Sequence, residues 1–114
     1  MNMGSTKTSL FTHDQNHLAQ ICKALAHPAR IAILDHLIHS KTCINNDLVT
    51  ELGLAQATIS QHLKELKKLE LIQGTIEGSR ICYCINHTKW SEIGQILNTL
   101  FNKNQSLLST ENCC

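Results

Sequence analysis

Residues 53–69 read GLAQATISQHLKELKKL, and this stretch predicts the element around which the rest of the chain is arranged. Its apolar residues Ile59, Leu63 and Leu66 are spaced by four and then three positions, which places them on one stripe of a helix. The opposite face begins with amide and hydroxyl side chains and becomes positively charged towards its end. Because amides and hydroxyls can bond to base edges and lysines neutralise phosphates, this order suits a helix that enters a DNA major groove N-terminus first. An ordinary amphipathic surface helix is the alternative for this segment taken alone.

The side chains expected to face DNA lie on this helix and on the hairpin that follows it. On the helix they belong to the outward face and its edge, and they are Gln56, Thr58, Ser60, Gln61, His62 and Lys64. His62 falls between the buried and the outward faces, so it touches either a phosphate or only its neighbours. Arg80 falls at the tip of the predicted hairpin, where it suits a phosphate or the minor groove.

Length and composition indicate one folded domain with a modest core. The chain has 114 residues, of which 42% are hydrophobic and 17% charged. Its formal net charge is only +1, so affinity for DNA must come from local charge placement and from dimerisation. No apolar run reaches the roughly 20 residues that span a bilayer, and the N-terminal MNMGSTKTSLF lacks the apolar core of a signal peptide. We therefore expect a cytoplasmic protein with reduced thiols and no membrane partner.

Three helices are predicted before residue 53. The first covers residues 14–26, because apolar side chains recur there at helical spacing: Leu18, Ile21, Cys22 and Leu25. The second begins at Pro28, which suits the first position of a helix, and runs to about residue 39. The third is capped by Asn45 or Asn46 and ended by Gly53. The third and fourth helices together form a predicted helix-turn-helix over residues 46–69.

A hairpin is predicted after residue 69, because the apolar period changes there from about 3.6 residues to about 2. We expect strands over residues 71–76 and 81–85 with a turn between them, which makes a wing beside the helix-turn-helix. A last helix over residues 88–103 carries a wide apolar band: Trp90, Ile93, Ile96, Leu97, Leu100 and Phe101. This band exceeds what a terminal helix of a small monomer buries. We expect a homodimer through the first and last helices, with the contacts Trp90, Ile93, Leu97 and Leu100 and with Leu18 or Ile21.

The predicted fold class is mainly α with a small β-hairpin. It is a homodimeric winged helix-turn-helix with the element order α-α-α-α-β-β-α. We expect a disordered N-terminal tail over residues 1–12, a DNA-binding and dimerisation domain over residues 13–103, and a flexible C-terminal tail over residues 104–114 that ends in Cys-Cys.

Two segments in this order resemble the ArsR/SmtB family of winged-helix repressors. They are LAHPARIAIL at residues 25–34 and LAQATISQHLKEL at residues 54–66, followed by a wing that contains Gly78 and Tyr83. The resemblance covers roughly residues 14–103. It implies a homodimer that binds an imperfect inverted repeat in double-stranded operator DNA without a cofactor and leaves the DNA when an inducer binds.

The inducer segment of that family is altered in this chain. Arsenite-responsive members carry Cys-Val-Cys-Asp or Cys-Val-Gly-Asp at the start of the third helix, whereas residues 44–47 here read INND and Cys43 lies one place too early. Zinc-responsive members carry acid and histidine pairs along the last helix, where this chain has only His87 and Glu92 near the start. A further departure is Ala55, where a serine-type helix cap is usual.

The six cysteines are candidate ligands for a thiophilic inducer, because soft thiolates prefer soft centres such as arsenite or antimonite. Cys82 and Cys84 share the strand face opposite Tyr83, which would be half exposed if they were only structural. Cys22, on the apolar stripe of the first helix, is expected in the core. Two ligand sets remain open, namely Cys82 and Cys84 with a tail cysteine, or Cys43 with Cys113 and Cys114.

Three other functions are alternatives to a repressor that arsenite or antimonite releases from DNA. The same scaffold could sense oxidants or persulfide through a cysteine pair. An enzyme is not expected, because no cysteine has a histidine and an acid partner evident in the sequence. A protein-interaction module that does not bind DNA is disfavoured by the Gln, Thr, Ser and Lys face of the fourth helix.

Overall fold

The computed structural model describes residues 8–40, 47–77 and 80–105, which form a winged helix-turn-helix. The elements are α1 (His13–Leu25), α2 (Pro28–His39), α3 (Asp47–Leu52), α4 (Gln56–Lys68), β1 (Ile72–Glu77), β2 (Arg80–Ile85) and α5 (His87–Gln105). This order confirms the predicted winged helix-turn-helix and its α-α-α-α-β-β-α order, and the bounds differ from the predicted ones by two residues at most. None of the described helices is both long enough and apolar enough to cross a bilayer.

Thr12 fixes the start of α1 through a reciprocal cap. Its Oγ1 accepts a hydrogen bond from the Gln15 N–H, and Gln15 Oε1 accepts one from the Thr12 N–H, both at 3.0 Å. These bonds satisfy two of the N–H groups near a helix start that lack backbone partners. Part of the tail that was expected to be disordered is ordered here. Residues 8–10 form one turn of 3-10 helix, and Asn16 Nδ2 donates a hydrogen bond to the backbone carbonyl oxygen of Thr8 at 3.0 Å.

The turn between α3 and α4 depends on Gly53. Its φ is 68°, in the left-handed region that a residue without Cβ adopts at no steric cost. Its N–H donates to the Val49 oxygen at 2.9 Å, which ends α3 as expected. The next helix follows Ala55, which offers no side-chain cap. The predicted caps of α3, Asn45 and Asn46, fall outside the described ranges.

The core lies under the apolar stripe of α4. Ile59, Leu63 and Leu66 are all buried, and burying a side chain of this size stabilises the fold by about 1.5–3 kcal/mol. Around this stripe pack side chains from every other helix and from the hairpin: Ile21, Ile33, Leu34, Leu37, Leu48, Leu71, Ile72, Ile85 and Ile93. Among the described residues, no polar or charged side chain is fully buried. The position of α4 therefore depends mainly on contacts that carry no direction of their own.

The hairpin pairs β1 with β2 in antiparallel register, with Gly74 opposite Tyr83 and Ile76 opposite Ile81. A Cβ at position 74 would lie 2.9 Å from Ile81 Cγ2 and 3.3 Å from Tyr83 Cε1. Only glycine therefore lets these two side chains lie across β1. Further out, the side chains of Ile76 and Ile81 are exposed, the former by 78%. Gly78, in the predicted turn, falls in a stretch that the structure leaves undescribed.

Three predictions about α1 and α5 need correction. Cys22 is exposed, because α1 turns only a narrow stripe centred on Ile21 towards the core. Ile21 and Ile93 are 0% and 4% exposed and belong to the core of their own chain, so they are not available to a partner subunit. The last helix runs to Gln105, so the predicted tail over residues 104–114 begins inside α5. Leu18, Trp90 and Leu97 are half-buried, and Leu100 and Phe101 are exposed.

Candidate DNA-binding interface

The outward face of α4 is polar and accessible. Gln61, Lys64 and Lys68 lie opposite the buried stripe and are all exposed. Gln56, Thr58 and Ser60 are exposed as well, and Gln56 Nε2 donates to Ser60 Oγ at 3.2 Å. Five of the six side chains predicted on this helix are thus placed at the surface, and the sixth, His62, is half-buried.

Glu65 introduces one negative charge into this basic surface. Its carboxylate accepts hydrogen bonds from Lys68 Nζ at 3.2 Å and from Gln61 Nε2 at 3.3 Å. The bond from Lys68 holds the pKa of Glu65 below its ordinary value, and the charges of Lys68, Arg30 and Lys64 act in the same direction. Glu65 is therefore ionised at neutral pH, and it orients two of the side chains on the outward face.

A lysine-lined groove separates α4 from the wing. Its volume is about 430 Å³, and its walls are Ser60, Lys64, Lys67, Lys68 and Tyr83. Three ammonium groups and two hydroxyls suit the phosphate backbone of nucleic acid. Lys67 and Tyr83 are not among the side chains that the sequence predicted to face DNA. The spacing could have revealed Lys67, since it follows Lys64 by three positions and Ser60 by seven and so shares their face of the helix.

Arg80 begins β2 and pairs in register with Glu77, the last residue of β1. Its backbone therefore lies at the tip of the wing, next to the connection between the two strands, where the sequence predicted it. This end is the part of the hairpin farthest from the core, because Ile72 and Ile85 at the other end are buried.

His62 lies on the flank of α4 that faces α1 and α2. Its Nδ1 accepts a hydrogen bond from Arg30 Nε at 3.0 Å, and its ring lies 5.5 Å, centroid to centroid, from the ring of His27. Burial lowers the pKa of His62 below its ordinary value of 6.5, and the charges of Arg30 and His27 lower it further. Of the two roles predicted for this histidine, contact with its neighbours is the one for which the structure supplies partners.

The cysteines of the wing differ in exposure. Cys82 is buried, with 3% of its surface exposed, whereas Cys84 is half-buried and its sulfur lies 3.9 Å from the donor Gln73 Nε2. The expectation of a half-exposed face is therefore right for Cys84 and wrong for Cys82.

The described residues contain no complete metal site. Within them, no three His, Cys, Asp or Glu side chains are close enough together to hold an ion. Three of the cysteines predicted as ligands, Cys43, Cys113 and Cys114, fall in parts of the chain that the structure does not describe.

Comparison with known proteins agrees with this geometry. Residues 27–73, which include α2, α3 and α4, match the family described as bacterial regulatory protein, arsR family. The chain is 34% identical to an arsenical resistance operon repressor from Staphylococcus aureus over 77% of its own length and 84% of that protein. It is 32% identical to the transcriptional repressor PagR from Bacillus anthracis over 72% of its length and 82% of that protein. These relatives are transcriptional regulators and not enzymes, as predicted for this chain.

A solved structure shares the whole architecture. The homodimeric winged helix-turn-helix DNA-binding domain Mb0332 from Mycobacterium bovis superposes with a TM-score of 0.60 at 24% identity. The match covers 90% of this chain and 92% of that one. This likeness agrees with the fold, and the sequence relatives show the family: the chain belongs to the ArsR/SmtB family of winged helix-turn-helix, DNA-binding transcriptional repressors.

Proposed function

We propose that this repressor binds an inverted repeat in double-stranded DNA as a homodimer, with α4 in the major groove of each half-site and the wing on the flanking backbone. The observation that carries the proposal is the accessible face of Gln61, Lys64 and Ser60 next to the lysine-lined groove. Amide and hydroxyl groups supply contacts to base edges, and the lysines supply phosphate contacts. The net charge of +1 makes one subunit a weak binder, so two linked half-sites are needed for affinity.

The second copy is proposed to dock on α1 and α5. Leu18, Ile96 and Leu100 line a cavity of about 340 Å³ between these helices, with Asp14 and Lys103 among the polar side chains around it. Leu100 is 43% exposed, and the neighbouring Phe101 is 68% exposed. Exposed apolar side chains beside a cavity of this kind are typical of an interface, and the assembly of the Mycobacterium bovis domain as a homodimer supports a second copy as its occupant.

The inducer is proposed to be arsenite or antimonite bound by thiolates. The name of the Staphylococcus aureus relative supports this chemistry, as does the number of cysteines in the chain. Residues 44–47 cannot supply the two thiolates of the usual segment. Because Cys82 is buried, a ligand there would have to displace β2, so the set of Cys43 with Cys113 and Cys114 is favoured. An inducer bound by this set would connect the start of α3 to the C-terminus and shift the helix-turn-helix relative to the dimer core.

The DNA part of this proposal is tested by selection. The reduced full chain is incubated with a random duplex library, and the bound fraction is amplified and sequenced over several rounds. We expect an inverted repeat whose half-sites are centred about one helical turn, 10–10.5 base pairs, or a multiple of it apart. Enrichment of no sequence, or of a single half-site, would contradict the proposed mode of binding.

The inducer part is tested on the selected duplex by fluorescence anisotropy. Arsenite, zinc and a persulfide donor are each titrated against the reduced complex. We expect arsenite to release the DNA, Cys113→Ser/Cys114→Ser and Cys43→Ser to blunt that release, and Cys82→Ser/Cys84→Ser to leave it intact. Cys22→Ser is the matched control, since that thiol is exposed on α1 and belongs to neither ligand set. Release by the persulfide donor alone would replace the metalloid with a redox signal.

A further inference from the structure

Arg30 joins the three helices that meet at the C-terminus of α1. From the first turn of α2, its Nη1 donates to the Ala24 oxygen at 2.9 Å. Its Nε donates to His62 Nδ1 on α4 at 3.0 Å. The guanidinium has its donors in a fixed plane, so these two bonds define the position of His62 relative to α1 as well as to α2.

The bond to His62 requires one protonation state of the imidazole. Nδ1 accepts from Arg30 only when it carries a lone pair, so the proton of the neutral ring sits on Nε2. Burial, Arg30 and His27 together lower the pKa of His62, and the neutral form is therefore the form present at neutral pH.

His62 is well placed to control the orientation of the DNA-binding face. It follows Gln61 directly and lies on the flank of α4 opposite to the lysine-lined groove. The buried stripe of α4 consists of aliphatic side chains, whose contacts have no preferred direction of their own. Base readout needs side chains held to within about 0.5 Å and 10–20°. A directional hydrogen bond on one flank supplies the constraint that the apolar stripe lacks.

We propose that Arg30 is a positioning residue for DNA recognition, which acts through its hydrogen bond to His62 to fix the orientation of α4 against α1 and α2. Loss of this bond leaves the helices folded and α4 packed but imperfectly oriented. This proposal rests on the proposed binding of DNA by α4. It gives a part in recognition to a residue on α2, outside the face of α4 that binds DNA. It also makes recognition sensitive to protonation of His62.

The charges around His62 set the direction of that sensitivity. Arg30 on α2 and His27, which directly precedes α2, contact it. These two residues also line a cavity of about 400 Å³, whose other charged side chains are Lys23 from α1 and Lys68 and Glu65 from α4. Cations outnumber the single carboxylate, so a proton added at Nδ1 removes the acceptor and meets repulsion. The bond is complete above the ordinary histidine pKa of 6.5, and it is lost as the pH falls through the lower value of the folded protein. Affinity for DNA should fall in that same direction.

The test compares variants of the full chain on the selected duplex at about pH 7.5 and at the lowest pH at which all of them remain folded. His62→Asn keeps an acceptor oxygen close to the position of Nδ1 and cannot titrate. Arg30→Lys keeps the charge but replaces the rigid, planar guanidinium, which donates from two nitrogens, with a single ammonium nitrogen on a flexible stem. His36→Asn, a half-buried histidine elsewhere on α2, is the matched control. Circular dichroism and thermal melts check that each variant is folded.

We expect wild type and His36→Asn to lose affinity between the two pH values, and His62→Asn to bind nearly equally at both. Arg30→Lys should bind about tenfold more weakly at the higher pH with native circular dichroism. Equal affinity of Arg30→Lys and wild type, or equal pH profiles of His62→Asn and wild type, would overturn the proposal.

A DNA-free measurement separates this proposal from the proposed function. If wild type binds no duplex specifically at the higher pH, the proposed function fails, and the role of Arg30 is decided by amide hydrogen exchange instead. Faster exchange in α4 than in α2 of folded Arg30→Lys, relative to wild type, supports the positioning role. Unchanged exchange in α4 rejects it.

Discussion

Gln61 Nε2 donates a hydrogen bond to Glu65 Oε2 at 3.3 Å, one turn further along α4. The same oxygen accepts from Lys68 Nζ, which keeps Glu65 ionised at neutral pH. The amide is therefore held by a charged partner on its own helix, and a base edge must compete with that partner. Such competition favours a base that offers Gln61 two hydrogen bonds over one that offers a single bond.

Gln61→Ala should weaken binding to the selected duplex by about 1–3 kcal/mol and relax the base preference at one position of each half-site. The loss arises because alanine can make no hydrogen bond to a base edge. Competition binding with single-base variants of the duplex measures both effects. Gln20→Ala, at an exposed glutamine on α1, is the control. Native affinity with native base preference in Gln61→Ala would show that α4 docks in another orientation.

Arg80→Ala should weaken binding to every sequence alike and lower the slope of log K against log salt by about one. A phosphate contact at the tip of the wing carries charge but no base information. Binding isotherms at several salt concentrations measure the slope. Lys89→Ala is the control, since Lys89 Nζ lies 3.7 Å from Glu70 and 3.6 Å from Glu92. An unchanged slope in Arg80→Ala would remove the wing from the interface.

Leu100→Glu should convert the protein to monomers and abolish specific binding, because a charge would then be placed in the apolar surface of α1 and α5. The exposed Leu100 is a cleaner site for this test than Leu97, which is half-buried and packs against its own core. Sedimentation velocity at micromolar concentration measures the assembly. Ile76→Glu, at an isoleucine that is 78% exposed on the wing, should remain dimeric. A wild-type protein that sediments as a monomer would refute this interface outright.

Two glycines should respond in opposite directions to the same substitution. At Gly53, whose φ is 68°, alanine should lower the free energy of unfolding by about 1–2 kcal/mol through left-handed backbone strain. At Gly94 in α5, alanine should raise it by about 0.5–1 kcal/mol through helix propensity. Neither new Cβ meets an atom within 4 Å, so crowding plays no part. Urea denaturation measures both changes, and equal signs would reject this account of the α3–α4 turn.

Much of the architecture follows from local spacing. Pro28 begins α2, Gly53 ends α3, and the stripe of Ile59, Leu63 and Leu66 is buried as its period predicts. Each of these signals is contained within one helix or turn, where backbone geometry alone determines the outcome.

The wrong predictions concern burial, that is, which side chains are covered by other elements of the fold. Alternation in β2 correctly separates Cys82 from Tyr83, yet it does not reveal that Cys82 is buried while Cys84 on the same face is only half-buried. Cys22 continues an apolar spacing, but the packing of α1 covers its neighbour Ile21 instead. These outcomes depend on how whole elements pack, which the local period does not encode.

The contact between Arg30 and His62 shows a further limit of sequence reasoning. The two residues lie 32 positions apart, and each falls within one of the segments that carry the family resemblance. The position of His62 between two faces of α4 left its role open. Only the crossing of α2 and α4 brings the guanidinium to Nδ1, so the pairing required the tertiary structure.

The two-stranded wing has exposed backbone edges that favour association between molecules in concentrated solution. In the described part of the chain, β1 and β2 pair only with each other, so each offers an outer edge of backbone groups to another chain. The exposed pair Ile76 and Ile81 adds apolar surface beside those edges. Such edges are templates for strand addition between molecules. We therefore expect association between purified molecules to begin at the wing, and Ile76→Lys to reduce it by placing a charge beside the strand edge.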